Sequence, residues 1–419
     1  MNPRQVTVLW IIAVALAIAV ALVKVSQDAA RDTATNRTPG ETLFEKFPAE
    51  DVASITLTDT KGTITLKKGG DAWIVVERDD YPARTPNVLT LLRSIGDLKI
   101  VQAMEAGPSF APRFGMDEAS RNADERGTTA AFADASGKEL ARVSVGRMLD
   151  SGGRFVRNHA DESGFYTVSD MLHMFDATPT RWLDESFLRP EKISSIRVAE
   201  AASPEVNLWH ATRETEDDDF RLADGAPGET LESEASDSFK NLMGFARFQD
   251  VVPADEVETR TADSPAPRIA TVETFEGFTY TFNIAPAKPA ETTDDDEGMP
   301  PAPDDQILTF TVEATLPTER KTGDDETEES AAELDAAFEE RLATLTTRLE
   351  KEKALAGRTY LVTQSVVAPL LKNRDDITTG PPEPTPASEE SANIGTPPGG
   401  ITVTTPPIEI PVPENTEEE

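Results

Sequence analysis

The sequence of 419 residues contains no cysteine and only three histidines. The missing thiols exclude disulfide bonds, thiolate metal sites, iron–sulfur clusters and cysteine nucleophiles. His159, His173 and His210 are far apart in the sequence and do not form a metal-binding spacing such as H-E-x-x-H. We therefore interpret them as ordinary surface or half-buried residues rather than as metal ligands or general bases.

Basic residues are also scarce, with 40 Lys and Arg against 76 Asp and Glu, a formal net charge of −36. This balance argues against a nucleic-acid partner, because binding to a phosphate backbone depends on Lys and Arg. It also disfavours adhesion to anionic lipid head groups. We interpret the acidic runs at 217–219 and 294–298 as solvated charged segments rather than as calcium sites. The second run lacks the position-five ligand, the glycine placement and the closing glutamate of a calcium loop.

The usual catalytic and phosphate-binding motifs are absent. The sequence contains no G-x-S-x-G elbow, no G-x-x-x-x-G-K-[ST] loop and no G-x-G-x-x-G turn. Paired carboxylates for glycoside hydrolysis remain an open alternative, since acidic residues are numerous and their separation is not visible in a sequence. We predict no catalytic residue, no cofactor and no metal site.

One long apolar run is present, at residues 6–23. As a helix it spans roughly 27 Å, about the thickness of a bilayer core. Residues 1–25 are therefore predicted to be a single transmembrane anchor with a short cytoplasmic N-terminus, and residues 26–44 a tether to an extracytoplasmic remainder. The alternative is a cleaved signal peptide, whose apolar region is usually shorter, about 7–15 residues.

The chain contains an internal similarity. Residues 47–57 resemble residues 188–198: an apolar residue and a proline lead to an acidic residue, then to serine and alternating aliphatic residues. The two segments are about 140 residues apart, whereas solenoid repeats have periods of about 20–50 residues. This spacing therefore indicates two copies of a domain. We predict two tandem α+β repeats, at 45–187 and 188–373, each an antiparallel sheet with packed helices.

Alternating apolar residues and turn signals predict the strands of both repeats. In the first repeat they are 55–57, 64–66, 72–76, 130–133, 140–145, 154–157 and 165–169. In the second they are 193–198, 206–209, 220–222, 270–275, 278–284, 308–312 and 359–363.

Helix signals complete the two repeats. Thr85 is predicted to cap a helix with Pro86 at its first position and an apolar stripe reaching Leu98. A gapless match of that stripe predicts the corresponding helix at 239–248. Helices are also predicted at 170–175 and 364–371, after strands that end on a hydroxyl residue.

The second repeat carries acidic insertions at 285–306 and 317–330, which are predicted to be solvated loops. An amphipathic helix is predicted at 330–356, docked on its own domain or, alternatively, binding a partner. The segment 374–419 is rich in Pro, Glu and Thr and is predicted to be disordered.

Trp73 and Trp209 lie on predicted strands and are expected to fill the two cores. Trp182 precedes the second repeat and is expected to pack in a core or at the interface between repeats. Packing is favoured over ligand stacking for all three residues.

Several of these segments together resemble the domain of unknown function 4340 family. They are 71–75, 81–84, the helix 88–98, 113–117, 153–157, 165–168 and 181–184. The resemblance covers 45–250 well and 250–372 loosely, and it concerns core and turn positions rather than a catalytic signature.

The resemblance implies a bacterial single-pass membrane protein, of a kind often encoded beside ABC-type exporters and gliding-motility-like auxiliary subunits. It supplies no catalytic residues. We expect a non-enzymatic, membrane-anchored extracytoplasmic scaffold or accessory protein associated with an ABC-type transport system. A periplasmic binding module for an envelope polymer or ligand is the alternative, and a carboxylate-dependent envelope hydrolase is a more remote one.

Overall fold

The computed structural model describes residues 37–380 except 71, 105, 162–163, 264, 289–304 and 321–326. The predicted anchor at 6–23 and most of the predicted tail lie outside these residues. Within the described part of the chain, no helix is both long enough and apolar enough to cross a bilayer.

The first sheet has nine antiparallel strands in the order β4-β3-β2-β1-β6-β7-β8-β9-β5. Their bounds are β1 Ser54–Thr58, β2 Thr63–Gly69, β3 Ala72–Val75, β4 Tyr81–Pro82, β5 Ile100–Ala103, β6 Thr128–Ala133, β7 Glu139–Met148, β8 Arg154–Asn158 and β9 Phe165–Val168. All seven strands predicted here are present, with ends shifted by a few residues; the short strands β4 and β5 were not predicted.

The second sheet has eight antiparallel strands in the order β12-β11-β10-β15-β16-β17-β18-β14. The remaining bounds are β10 Ile193–Glu200, β11 Asn207–Thr212, β12 Arg221–Leu222, β13 Thr230–Leu231, β14 Asp250–Val252, β15 Arg268–Thr274, β16 Phe278–Pro286, β17 Asp305–Ala314, β18 Thr359–Thr363 and β19 Thr378–Thr379. Apart from β4, the two sheets have the same strand order. Strands β13 and β19 form a separate two-stranded ribbon.

The strands form because apolar and polar residues alternate, so that each sheet has one face in the core. In β1, Ile55 and Leu57 are fully buried while the serine and threonines between them are half-buried. In β16, Phe278, Tyr280 and Phe282 are buried on one face and stack along the strand. The mixed α+β class with antiparallel sheets is therefore confirmed.

The helices lie mainly against these apolar faces. Their bounds are α1 Thr85–Gly96, α2 Ala111–Phe114, α3 Ser233–Lys240, α4 Val257–Arg260, α5 Glu328–Leu355 and α6 Gln364–Leu371. Helix α1 begins at Thr85 itself, and Arg84 is the capping residue without a side-chain cap bond. The predicted helix at 364–371 is confirmed.

The helix predicted at 239–248 is wrong in position. Helix α3 ends at Lys240, where the Asn241 side chain donates to the Asp237 carbonyl at 3.0 Å. Met243 then takes a left-handed conformation with φ 57°, which ends helical geometry. As a result Phe245, which the gapless match placed in a buried stripe, is 94 % exposed.

The helix predicted at 170–175 is also wrong. The Asp170 carboxylate accepts a hydrogen bond from the Leu172 amide at 2.7 Å, and Leu172 has φ 51°. A side chain that bonds the backbone two residues ahead favours a turn over a helix. The segment is therefore a turn that buries Leu172 and Phe175.

The folded part extends beyond both predicted boundaries. The tether predicted at 26–44 includes Leu43, which is fully buried and whose amide bonds the Leu98 carbonyl at 2.7 Å. The tail predicted from 374 begins with residues that fold. Ile377 is fully buried, and two hydrogen bonds from Arg374 lower the pKa of Glu229 to about 2.

The insertion loops are shorter than predicted. Residues 285–286 belong to β16 and residues 305–306 to β17, because the antiparallel pairing of these strands continues to Pro286 and Gln306. Residues 328–330, assigned to the second insertion, belong to α5.

Aromatic residues join the two sheets. Tyr81 of the first sheet packs edge-on against Phe248 at 5.5 Å and Tyr360 at 6.2 Å between ring centroids. Phe187, between the sheets in sequence, contacts Phe248, Phe310 and Tyr360 at 5.4, 6.1 and 4.9 Å. We call these five residues the aromatic seam. The buried apolar residues of both sheets form one continuous cluster through it.

Polar contacts accompany the aromatic seam. The Arg78 guanidinium donates to both carboxylate oxygens of Asp250, at 2.7 and 3.1 Å. The Arg358 guanidinium donates to the Asp79 carbonyl at 2.7 Å and lies over the ring of Tyr81. Bidentate pairing fixes direction as well as distance, so these contacts orient one sheet against the other.

The extended C-terminal boundary is testable with Ile377→Ala. Removing a fully buried isoleucine side chain is expected to lower the free energy of unfolding by about 2–4 kcal/mol. Denaturant unfolding of the full chain measures this value. Thr379→Ala, at an exposed position two residues later, is the control and should have little effect. Equal stability of the two variants would contradict the packing of this segment.

Candidate functional site

Helix α5 is the longest helix among the described residues, and its charges are divided along its length. Acidic residues dominate the first half, whereas Arg348, Lys351 and Lys353 lie in the second. This arrangement complements the helix dipole, which is positive at the N-terminus and negative at the C-terminus. The helix ends before Gly357, which adopts φ 77°.

Only part of α5 packs closely on the sheet. Leu345 is buried and Leu349 is half-buried, whereas Leu334 in the first half is 45 % exposed. The predicted docking of this helix on its own domain is therefore correct for the second half. The alternative, binding of a partner, stays a prediction for the remainder.

Arg348 connects α5 to the second sheet. Its guanidinium donates to Glu352 Oε1 at 3.0 Å and to the Tyr280 hydroxyl at 3.1 Å. The Tyr280 hydroxyl in turn donates to Glu352 Oε2 at 2.7 Å. The guanidinium also lies 4.8 Å from the ring centroid of Phe278. The buried Glu352 carboxylate is thus paired with Arg348, one helix turn earlier, and accepts a hydrogen bond from Tyr280 of β16.

The same guanidinium reaches the segment between the two sheets. It donates to the Arg189 carbonyl at 2.6 Å and to Glu191 at 3.3 Å, and it contacts Glu276 at 3.2 Å. Glu276 lies in the turn between β15 and β16 and has a side chain only 9 % exposed. Arg348 therefore holds α5, that turn and the connecting segment together. We call this group the Arg348 hub.

Electrostatics in the hub follow from burial and pairing. Burial raises the pKa of Tyr280, and the adjacent Glu352 charge raises it further, so the hydroxyl remains a donor. Burial opposes the charge on Arg348, but the adjacent Tyr280 and Glu352 outweigh it and raise the pKa of Arg348. The hub is a fixed set of ion pairs rather than a group ready to exchange protons.

Two grooves run beside α5. One, of 610 Å³, lies between a lateral face of the helix and Ser186 and Phe187 of the connecting segment. The other, of 470 Å³, lies between the first half of the helix and the β15–β16 turn. We call the first one the α5 groove. Its helix side includes Glu340, Thr344 and Lys351.

Two carboxylates line the α5 groove, Glu340 and Glu352. They are twelve residues apart on one helix, roughly 18 Å along its axis. Paired glycosidase carboxylates are about 5–10 Å apart. Glu352 is also committed to Arg348. This arrangement gives no support to paired-carboxylate chemistry in the groove.

The comparison with known protein families gives a match for the central part of the chain. The model of the family Domain of unknown function (DUF4340) matches residues 73–265. These residues, slightly under half of the chain, belong to this family. The matched span includes Tyr81, Phe187 and Phe248 of the aromatic seam. Comparisons with curated proteins and with solved structures give no significant match.

The three histidines of this DUF4340 chain lie in separate surroundings. His159 Nε2 is 2.7 Å from the Ser144 hydroxyl, and His210 Nε2 is 3.1 Å from the Ser195 hydroxyl. His173 is exposed. The structure thus places each histidine where the sequence interpretation did, at the surface or half-buried, and does not bring them together.

Sequence reasoning missed the polar cluster around His159. Thr129 and Ser144 are adjacent on β6 and β7, and their hydroxyls are 2.9 Å apart. Thr129 also donates to Glu118 at 3.0 Å. Ser144 is only 1 % exposed, so its hydroxyl is closed to a substrate. No spacing in the sequence signals this cluster, because it depends on strand register.

Burial and the charge of Arg157 lower the pKa of His159 to about 4. The imidazole is therefore neutral at physiological pH. A neutral histidine bonded to a buried serine stabilises the outer face of the first sheet, and the geometry supports that structural role.

Of the two acidic runs, only the one at 217–219 lies within the described residues. In the first run, Asp219 pairs with Lys240 at 2.5 Å, and Asp218 accepts a bond from the Thr215 amide at 3.0 Å. The run at 294–298 lies outside the described residues. Within the described ranges, no group of three or more acidic or histidine side chains has the geometry to hold a metal ion.

The tryptophans have the predicted packing role. Trp209 is fully buried and stacks on Phe239 with centroids 5.0 Å apart, and Trp73 is also buried. Trp182 is fully buried; its indole donates to the Asp176 carbonyl at 2.8 Å, and its own carbonyl accepts the Arg84 amide. Trp182 thus packs the connecting segment against the start of α1.

The importance of the hub is testable with Arg348→Leu. The variant removes the cation that pairs with the buried Glu352 and one of the cations that pair with Glu276, and is expected to lower the free energy of unfolding by about 3–5 kcal/mol. Denaturant titration measures this loss. Arg341→Leu is the matched control: Arg341 also pairs with Glu276 but is 58 % exposed, so its loss should cost less than about 1 kcal/mol. Similar losses would contradict the hub.

The His159 environment predicts a pH dependence. The folded pKa is about 4 and the ordinary value is 6.5, so between these values the unfolded chain binds a proton that the folded chain does not. Stability is full above pH 6.5 and falls as pH decreases towards 4, by on the order of 2–3 kcal/mol.

Unfolding of the full chain at pH 7 and pH 4.5 checks this. His159→Gln should lose less stability on acidification than the parent chain, because it has no proton to bind. His173→Gln, at an exposed histidine, should behave like the parent chain. Identical pH profiles for the parent chain and His159→Gln would show that His159 is not the titrating group.

Proposed function

We propose that this protein is a non-enzymatic, membrane-anchored extracytoplasmic scaffold or accessory subunit of an ABC-type transport system. In this proposal residues 6–23 anchor the chain in the bacterial inner membrane, and the two sheets stand outside the cytoplasm. The observation that carries the scaffold role is the aromatic seam, because it joins two sheets into one unit with a fixed relative orientation. A scaffold needs such fixed geometry to position partners.

The use of polar groups supports the same proposal. The Arg348 hub, a polar cluster with many hydrogen bonds, connects three segments of the chain to one another. The neutral His159 and the buried Ser144 likewise bond each other. A catalytic group needs an accessible reacting atom within about 3 Å of substrate. These side chains instead stabilise the fold.

The shared strand order supports two tandem repeats that arose by duplication. The registers Ile55↔Phe132 in the first sheet and Ile196↔Val272 in the second place the central strand in equivalent pairings. In the proposed account the repeated scaffold preserved its apolar positions, whereas the polar surfaces diverged and acquired separate docking roles.

Co-purification tests the proposal. The tagged full chain, extracted from bacterial membranes with a mild detergent, should retain ABC-type transporter subunits identified by mass spectrometry. The matched control is Phe187→Ala, which removes the central side chain of the aromatic seam and should release the partners while the chain remains in the membrane. A parent chain that is recovered alone from several mild detergents would refute the proposal.

The α5 groove favours a second candidate, an extracytoplasmic binding module for an envelope polymer or ligand. Its volume of 610 Å³ is within the range of ligand pockets, about 300–1,000 Å³. Pull-down of envelope glycan by the full chain tests this candidate. Thr347→Trp, which would fill the groove, should abolish capture, and unchanged capture would contradict the use of this groove.

A further inference from the structure

One lateral face of α5 is exposed along about four turns. Its residues Ala337, Glu340, Thr344, Thr347 and Lys351 follow one another at spacings of three or four, so they lie on one side of the helix. All five are exposed. Four of these residues, all except Ala337, lie on the helix side of the α5 groove, opposite Phe187.

The face is complementary to itself in the antiparallel direction. Glu340 and Lys351 are equally distant from the midpoint between Leu345 and Thr346, and so are Thr344 and Thr347. When a second α5 is placed against the first with reversed direction about that midpoint, Glu340 of each copy faces Lys351 of the other. The two threonine pairs then meet at the centre. Ala337 and Ala354, which is also exposed, face each other at the ends.

We propose that the α5 groove is occupied by α5 of a second copy of this chain, in an antiparallel two-fold dimer. A two-fold interface uses the same surface on both subunits, so it requires a surface that is its own complement. Glu340 on one side of the midpoint and Lys351 at the same distance on the other side satisfy that requirement. This inference deepens the proposed scaffold function and rests on it for its biological role, but not for its geometry.

The side chains at the centre suit helix pairing. Threonine and alanine are small enough for two helices to approach at the usual 8–10 Å between axes. Phe187 on the opposite wall and Leu355 at the end of α5 supply apolar surface for the incoming helix. The charges are matched across the pair because α5 is acidic in its first half and basic in its second.

The contact is limited in extent. A helix pair of about four turns buries less than a standard interface of roughly 1,600 Å², so the dimer should be weak and depend on concentration. Anchoring of both copies in one membrane would raise their effective concentration. A dimer of this kind would present two copies of the paired sheets to a partner with two-fold symmetry.

Cysteine cross-linking tests the geometry, because the natural chain has no cysteine to interfere. Full-length Thr344→Cys and Thr347→Cys chains are mixed in detergent and oxidised mildly. The mixture should form disulfide dimers faster than either variant alone, since residue 344 faces residue 347 of the second copy. Thr346→Cys, an exposed threonine on another side of the same helix, is the matched control and should not cross-link.

A charge exchange tests the pairing independently. Glu340→Lys and Lys351→Glu should each weaken dimerisation by about tenfold or more, because each replaces two attractive pairs with two repulsive ones. The double variant should restore it. Sedimentation across a concentration series measures the association. Restoration cannot come from pairing within one chain, since the two residues lie roughly 16 Å apart along the helix, beyond the screening length of about 8 Å.

Three results would overturn the dimer: cross-linking at residue 346 as efficient as at 344 and 347, a double variant as weak as the single ones, or a chain that remains monomeric at the highest concentration. If such a monomer retained transporter subunits, the proposed scaffold function would still be supported. Conversely, a dimer recovered without any membrane partner would support this inference while the scaffold proposal fails.

Discussion

Five aromatic side chains from three parts of the chain meet where the two sheets join. Tyr81 comes from the first sheet, Phe187 from the connecting segment, and Phe248, Phe310 and Tyr360 from the second half. Each aromatic pair of this kind contributes about 0.5–1.5 kcal/mol beyond the area it buries. Together with the polar contacts of Arg78 and Arg358, these aromatic contacts hold the two sheets in one relative orientation.

The site beside α5 depends on that junction. Phe187 belongs both to the aromatic seam and to the wall of the α5 groove, so the groove exists only while the seam is formed. Arg348 then fixes α5 to the same connecting segment through Arg189 and Glu191. Apolar packing thus sets the position of the segment, and ion pairs set the position of the helix on it. The shape of the α5 groove therefore depends on both the aromatic seam and the Arg348 hub.

Much of the fold could be predicted from the sequence because local alternation decides strands. Ile55 and Leu57, or Phe278 and Tyr280, alternate with polar residues, and the strands form where the pattern predicts them. The errors occurred where a local bond competed with a helical pattern. Asp170 bonds the Leu172 amide, and Asn241 closes α3 early. Short edge strands such as β5 and β14 have too few residues to show a period.

The candidate site was much less predictable. The stripe of α5 was visible in the sequence, but the partners of Arg348 other than Glu352, such as Glu276 and Tyr280, come from positions more than 60 residues away. The polar cluster of Thr129, Ser144 and His159 likewise depends on strand register. Contacts between residues so far apart in the sequence depend on the overall topology, so no local sequence pattern predicts them.

The aromatic seam makes the two sheets one cooperative unit. Native-state hydrogen exchange on the full chain tests it most directly, by comparing slow amides of β1 and β6 with those of β15 and β16. One shared opening free energy is expected for both sheets, and it should separate into two values in Phe187→Ala. Two different opening free energies in the parent chain would contradict it.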